Sequence, residues 1–125
     1  FGTCWNQCTA YGVEDFAAEV GFFHDVLGFT ANALSPGFAM FTSPDKAFYF
    51  AVVPAGAEMK ATAPDALDLG FMVNDLPGVE AELERRGVTF TEPCAPLEGT
   101  PMLKAGLRTP NGIRITLWSM PEVTS

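Results

Sequence analysis

The chain has 125 residues, 48% of them hydrophobic and 18% charged, which suits one globular domain with its own core and excludes a disordered tract. No apolar run approaches the roughly 20 residues of a membrane-spanning helix, so a membrane is not an expected partner. Fifteen acidic residues against seven basic ones give a net charge of −8, which argues against nucleic acid, whose phosphates demand clustered Lys and Arg.

The same charge favours a cationic ligand by long-range attraction, although solubility alone accounts for it. Three cysteines, Cys4, Cys8 and Cys94, make no disulfide framework. Cys4 and Cys8 fall in one predicted strand, where four residues span roughly 13 Å, beyond disulfide reach. No signal peptide is visible, and the odd thiol count suggests a reducing, cytoplasmic setting.

A first strand is expected over residues 4–12. Asp15 then reads as an N-cap, its carboxylate accepting from the first free N–H groups of a helix. Phe16, Val20, Phe23 and Leu27 form the apolar stripe of that helix, and Gly28 ends it. Strands follow over 29–34, 38–43 and 47–53. Residues 54–66, PAGAEMKATAPDA, read as a linker rich in Ala, Pro and Gly. A strand over 67–73 leads to a second cap, Asp75, with Pro77 in the first turn, where its missing donor costs nothing. Leu76, Val79 and Leu83 are the apolar stripe, Glu80, Glu82, Glu84, Arg85 and Arg86 the solvated side, and Gly87 the stop. Strands over 88–92, 102–108 and 113–119 complete the chain. The segment from Glu92 to Pro101 reads as a loop by its prolines and glycine.

The order strand, helix, three strands occurs twice. Asp15 and Asp75 lie 60 residues apart, Gly28 and Gly87 59, and Thr42-Ser43-Pro44-Asp45 recurs as Arg108-Thr109-Pro110-Asn111 at a spacing of 66. Recurrence in fixed order means one supersecondary unit used twice. The expected class is α+β, with module one at about 1–53 and module two at about 67–125.

The stretches VEDFAAEVGFFHDVLGF, VNDLPGVEAELERRGVTFTEP and TPNGIRITLW, in this order and spacing, resemble the vicinal oxygen chelate superfamily. That superfamily includes glyoxalases, extradiol dioxygenases and bleomycin- and fosfomycin-resistance proteins. The resemblance covers nearly the whole chain. It implies two paired βαβββ modules that curl a mostly antiparallel sheet around a cavity, with helices on the outer face and a homodimer as the usual assembly.

The resemblance also points to a chelating corner. Metal-using relatives often carry a His seven residues before the capping Asp, where this chain has Cys8 and Asp68. The glutamate of the closing strand corresponds to Thr116. Aligning SPDKAFYFAVV with TPNGIRITLWS puts Phe50 at the fourth position. Phe50 cannot ligate and Thr116 offers only a weak neutral oxygen, so neither a metal nor any other cofactor is expected. The sole histidine, His24, lies on the first helix away from this corner. Cys8 has no histidine partner to make it a nucleophile.

Strand alternation assigns further cavity residues. Arg114, Thr116 and Trp118 should share one face, with Ile113, Ile115 and Leu117 on the helix side. Phe48, Phe50 and Val52 should point inward, as should Asn6, Cys8 and Ala10. Asp68, Gly70 and Met72 join them, with Met40, Thr42, Gly106 and Arg108 from neighbouring strands. The expected ligand-binding set is therefore Cys8, Met40, Phe48, Phe50, Asp68, Met72, Arg114, Thr116 and Trp118, an aromatic wall with a few polar anchors. These side chains could equally fill a collapsed core, and Arg114 could serve only as a rim ion pair.

The function expected from these features is metal-independent binding of an aromatic or planar small molecule, with no catalytic residue. The alternative is a lyase, isomerase or dioxygenase of the same superfamily, with Asp68 as general base and Arg114 stabilising an enolate oxygen.

Overall fold

The protein is described by a computed structural model over residues 2–4, 8–42 and 48–120, and the chain divides into two compact units, Phe1–Thr62 and Ala63–Ser125. Each unit is a four-stranded mixed sheet with one helix. Among the described residues, no helix is long and apolar enough to cross a membrane.

In the first unit, strands β1 (Thr9–Val13), β2 (Thr30–Ser35), β3 (Phe38–Thr42) and β4 (Tyr49–Pro54) are ordered β1-β4-β3-β2. The β1–β4 pair is parallel and the others antiparallel. Helix α1 (Phe16–Gly21) starts at Asp15, whose carboxylate accepts from the Ala18 N–H at 3.1 Å. It continues as a π-helical turn, Phe22–Val26. That turn delivers Phe23 into the core, where it is fully buried. Its ring meets Phe50 at 4.9 Å, Phe41 at 5.6 Å and Phe29 at 6.0 Å between centroids. Edge-on and tilted aromatic packing of this kind adds to the burial of each ring. Beside it, Tyr11 of β1 donates its hydroxyl to Glu19 of α1 at 2.7 Å, and both residues are buried.

Residues 55–62 strap back over β1. The Ala55 N–H donates to Val13 O and the Thr62 N–H to Gly12 O. A Cβ at Gly12 would stand 2.6 Å from Lys60 O, so only glycine admits the strap this closely. Pro64 and Asp65, further along the segment expected as a linker, are held instead by Arg108 of the second unit, at 3.1 and 3.0 Å.

In the second unit, β5 (Asp68–Met72), β6 (Phe90–Pro96), β7 (Leu103–Arg108) and β8 (Arg114–Ser119) are ordered β5-β8-β7-β6, again with one parallel pair, β5–β8. Helix α2 (Leu76–Arg85) is capped by Asp75, which accepts from the Gly78 N–H at 3.3 Å. Its end is a Schellman stop: Gly87 has φ 90°, and the Gly87 and Val88 N–H groups donate to Glu84 O and Leu83 O. Leu76 and Leu83 are buried against the sheet, whose covered face carries Leu69, Ala105, Leu107, Ile115 and Leu117.

Three expectations need correction. The first strand begins at Thr9 and not at residue 4; residues 5–7 lie outside the described residues, as do 43–47 at the expected ends of two strands. Val88 belongs to the helix stop, and the strand expected over 88–92 runs instead from Phe90 to Pro96, into the expected loop. It sits at the sheet edge with two register shifts, which is where prolines are tolerated in a strand. Finally, Glu80 is half-buried and accepts the Cys94 N–H at 2.6 Å, pinning α2 to this edge strand rather than facing water. Burial, with the Glu80 charge nearby, pushes the Cys94 thiol up and leaves it a poor nucleophile.

Candidate functional site

Strand pairing fixes which side chains share a face. In the second unit Asp68 pairs with Arg114, Gly70 with Thr116 and Met72 with Trp118, while Gly106 and Lys104 of β7 pair with Thr116 and Trp118. Because Ile115 and Leu117 face α2, this whole set lies on the face that the helix leaves bare. Arg114, Thr116, Trp118, Asp68 and Met72 therefore share one face of this sheet.

Contacts on this face form a chain. The buried Thr116 hydroxyl donates to both Asp68 carboxylate oxygens, at 2.8 and 3.0 Å. Arg114 Nε stands 3.6 Å from Asp68 Oδ2, and Arg114 Nη2 donates to Glu92 Oε1 at 3.1 Å. The other Glu92 oxygen lies 3.9 Å from Lys104 Nζ, and that ammonium sits 5.5 Å from the centroid of Trp118. Two acids and two bases thus alternate toward an indole, so the face is close to neutral in spite of the acidic chain.

The first unit differs. Phe50 pairs with Thr9 and Phe41, and packs on Phe23 of the helical segment. Phe48 lies beside it, its ring 5.8 Å from Phe50, and is part-exposed. Both were expected on the bare face, as was Val52, which is fully buried opposite Tyr11; all three belong to the helix side. The bare face carries Tyr49, Ala51 and Val53 of β4, Met40 and Thr42 of β3, and Ala10 of β1. Continued alternation puts the half-buried Cys8 there too. Met40 and Cys8 thus keep their expected face, and Asn6 lies outside the described residues.

The error has a definite cause. Six residues, 43–48, separate Thr42 from Tyr49, whereas five, 109–113, separate Arg108 from Arg114. The counterpart of Thr116 is therefore Ala51 and not Phe50, and a one-residue slip exchanges every side chain between faces. Ala51 is fully buried and has no donor atom in its side chain.

Among the described residues, Cys8 shares its face with Ala51 in one unit, and Asp68 with the neutral Thr116 hydroxyl and the Arg114 guanidinium in the other, and neither is a donor set that a divalent ion takes. Among the described residues, no three His, Cys, Asp or Glu side chains gather as a metal-holding group. His24 is exposed and hydrogen-bonds Asp25 at 2.8 Å, apart from this face. Cys4, Cys8 and Cys94 are free thiols.

Lys104 and Glu92 are missing from the residues expected at the site. Their signal was present in the hairpin: folding LKAGLRTPNGIRITLW about its Thr109–Gly112 turn, where the Gly112 N–H donates to Thr109 O, sets Lys104 opposite Trp118. Glu92 was hidden by its prolines, which marked its strand as loop.

No family model matches the sequence, and no curated protein does. Solved structures do share the fold. A glyoxalase/bleomycin resistance protein/dioxygenase from Nocardioides is similar at TM-score 0.72 and 22% identity, over 94% of this chain and 84% of that one. TnmS3, an antibiotic-binding protein from Streptomyces, is similar at TM-score 0.75 and 19% identity, over 94% and 97%. A lactoylglutathione lyase from Agrobacterium tumefaciens is similar at TM-score 0.72 and 15% identity, over 92% of each chain. The chain has the α+β fold of these proteins, consistent with its resemblance to the vicinal oxygen chelate superfamily.

Proposed function

We propose, from a chain with the glyoxalase/bleomycin-resistance fold, that the protein is a small-molecule binder of the bleomycin-resistance type that works without a metal. Its ligand is aromatic or planar, and cationic by preference. Asp68, Arg114, Thr116, Trp118 and Met72, which share one face of the second unit, contact it, and Met40 and Cys8 are candidate ligand contacts on the bare face of the first unit taken by itself. Phe48 and Phe50 leave the set because they pack on the helix side.

The observation that carries this reading is the Thr116–Asp68 hydrogen bond. A hydroxyl that satisfies a carboxylate stands where a chelating site needs a second anionic oxygen. The antibiotic-binding neighbour lends support by fold alone. We further propose a homodimer, read by light scattering in solution, and a reducing compartment, which suits the free thiols.

A thermal-shift screen of planar aromatic compounds tests the binder, with elemental analysis of the dialysed protein beside it. Stabilisation by an aromatic compound and no stoichiometric transition metal is the expected result. A broad set that leaves the melting temperature unmoved, or bound Zn, Ni, Fe or Mn at one per chain, overturns it.

The Asp68–Arg114 pair carries a second reading, a lyase or isomerase in which Asp68 takes a proton next to a carbonyl whose oxygen Arg114 stabilises. Deuterium exchange at that carbon of a bound carbonyl compound, lost in Asp68→Asn, would favour it over the binder.

A further inference from the structure

Lys104 is held in an unusual way for a lysine of which only 28% of the side chain is exposed. Its ammonium makes no hydrogen bond with the described residues. Among the described residues it is restrained by Glu92 at 3.9 Å and by the face of Trp118 at 5.5 Å. An ammonium is a strongly hydrated point charge with three donors, and both separations are longer than a hydrogen bond. They suit a softer cation that needs no donated hydrogen bond.

We propose that Lys104 is an internal, displaceable cation over Trp118, and that the ligand which replaces it is a flat aromatic ring bearing a quaternary nitrogen. The inference rests on the small-molecule reading above and adds the charge of the ligand and the group it moves. On displacement the flexible Lys104 stem swings its charge into solvent. The quaternary nitrogen takes the ring face and the Glu92 field, and it gives up less hydration than an ammonium does.

Three further features fit this exchange. Trp118 donates its indole N–H to none of the described residues, and Gly70, lacking a Cβ, lies alongside that edge; an added Cβ would stand 3.7 Å from Nε1. Beyond it Met72, paired with Trp118, is largely exposed and offers an adaptable apolar contact. Glu92 already holds Arg114 on its other oxygen, so it stays in place when Lys104 departs.

The chain has two tryptophans, and a Trp118→Phe variant assigns their indole N–H signals in a proton–nitrogen correlation spectrum. N-methylquinolinium is the cationic probe and 1-naphthalenesulfonate the anionic one. N-methylquinolinium should move the Trp118 signal. Lys104→Met, which keeps the stem and removes the charge, should tighten that binding about fivefold. Glu92→Gln should weaken it about threefold. 1-Naphthalenesulfonate should bind no better to Lys104→Met than to the wild type. Unchanged or weaker N-methylquinolinium binding by Lys104→Met overturns the displacement, as does equal binding of both probes, and in either case the small-molecule reading stands. If neither probe moves the Trp118 signal in wild type or Lys104→Met, the displacement is overturned, and the small-molecule reading is decided separately by the thermal-shift screen. The same spectra report whether each variant is folded.

Discussion

The sheets of the two units follow one plan, strand for strand, but they use their bare faces differently. In the first unit the bare face carries Ala10, Ala51, Val53 and Met40 with Thr42 and Tyr49, and the aromatic mass of Phe23, Phe41 and Phe50 lies under the helix. In the second the covered face is mostly aliphatic, with Leu69, Ile115 and Leu117 beside Phe71, and the bare face holds an indole, two carboxylates and the cations Arg108, Arg114 and Lys104. A duplicated scaffold has thus put a cluster of buried phenylalanines in one copy and its charged and indole side chains in the bare face of the other. Equivalent positions show it best: Ala51 seals a surface where Thr116 positions a carboxylate.

The sharpest way to break this contrast is to truncate an aromatic in each unit. Phe50→Ala opens a cavity in a fully buried cluster and should cost about 3–5 kcal/mol of stability by chemical denaturation. Trp118→Ala, on the half-buried bare face, should cost only about 1 kcal/mol while abolishing the binding of aromatic probes. Equal losses of stability would mean that both rings are core and that the second unit has no recognition face.

A smaller effect is expected at the buried polar pair of the first unit. Tyr11→Phe removes the donor at 2.7 Å from a buried Glu19 oxygen and should cost about 1–3 kcal/mol. Burial, aided by the Glu19 charge, holds the Tyr11 hydroxyl far above its ordinary pKa of 10.0. The folded protein therefore keeps this proton more tightly than the unfolded chain. The stabilisation is complete below pH 10.0 and shrinks as the pH rises beyond it. Denaturation followed from about pH 9 to 11 should show wild type losing stability faster than Tyr11→Phe. Parallel slopes would remove Tyr11 as the cause.

How legible this was depended on where the sequence carries contrast between faces. Asp15, Asp75 and Gly87 announced both helices because caps and stops need particular chemistry and little context. Strand β8 announced its faces because Arg114 and Thr116 alternate with Ile115 and Leu117. Strand β4, YFAVVP, is apolar on both faces, so its period of two named no direction. The repeat then had to supply one, and the extra residue between β3 and β4 shifted the answer by one position. Glu19 was missed because a carboxylate in a helix reads as solvated until Tyr11 is known to stand beneath it. The prolines of β6 concealed an edge strand whose register shifts accommodate them.

Thr116→Val tests the polar corner at lower cost. The valine matches the shape but cannot donate to Asp68, whose side chain is 51% exposed and can turn to water. Stability should fall by about 1 kcal/mol. The loss should be accompanied by weaker probe binding, because Asp68 is no longer held in one orientation. A variant that binds as wild type does would show that the hydroxyl serves the fold alone.

The smallest stability effect should come from Arg114→Met. Its two ion pairs are partly exposed, and pairs of that kind contribute only about 0–1 kcal/mol. Its influence on charge is larger, because Asp68 would then face the ligand without its ion-pair partner and Glu92 would keep only the more distant Lys104 among the described residues. Cationic probes should bind more tightly and with a steeper dependence on salt, since exposed charges act over a range that ions screen. The first unit has no counterpart to this residue's charge, because Tyr49 occupies the matching position in β4. Tyr49→Phe should therefore leave the salt dependence as it is, and an equal change in both variants would show that the two faces share the work of recognition.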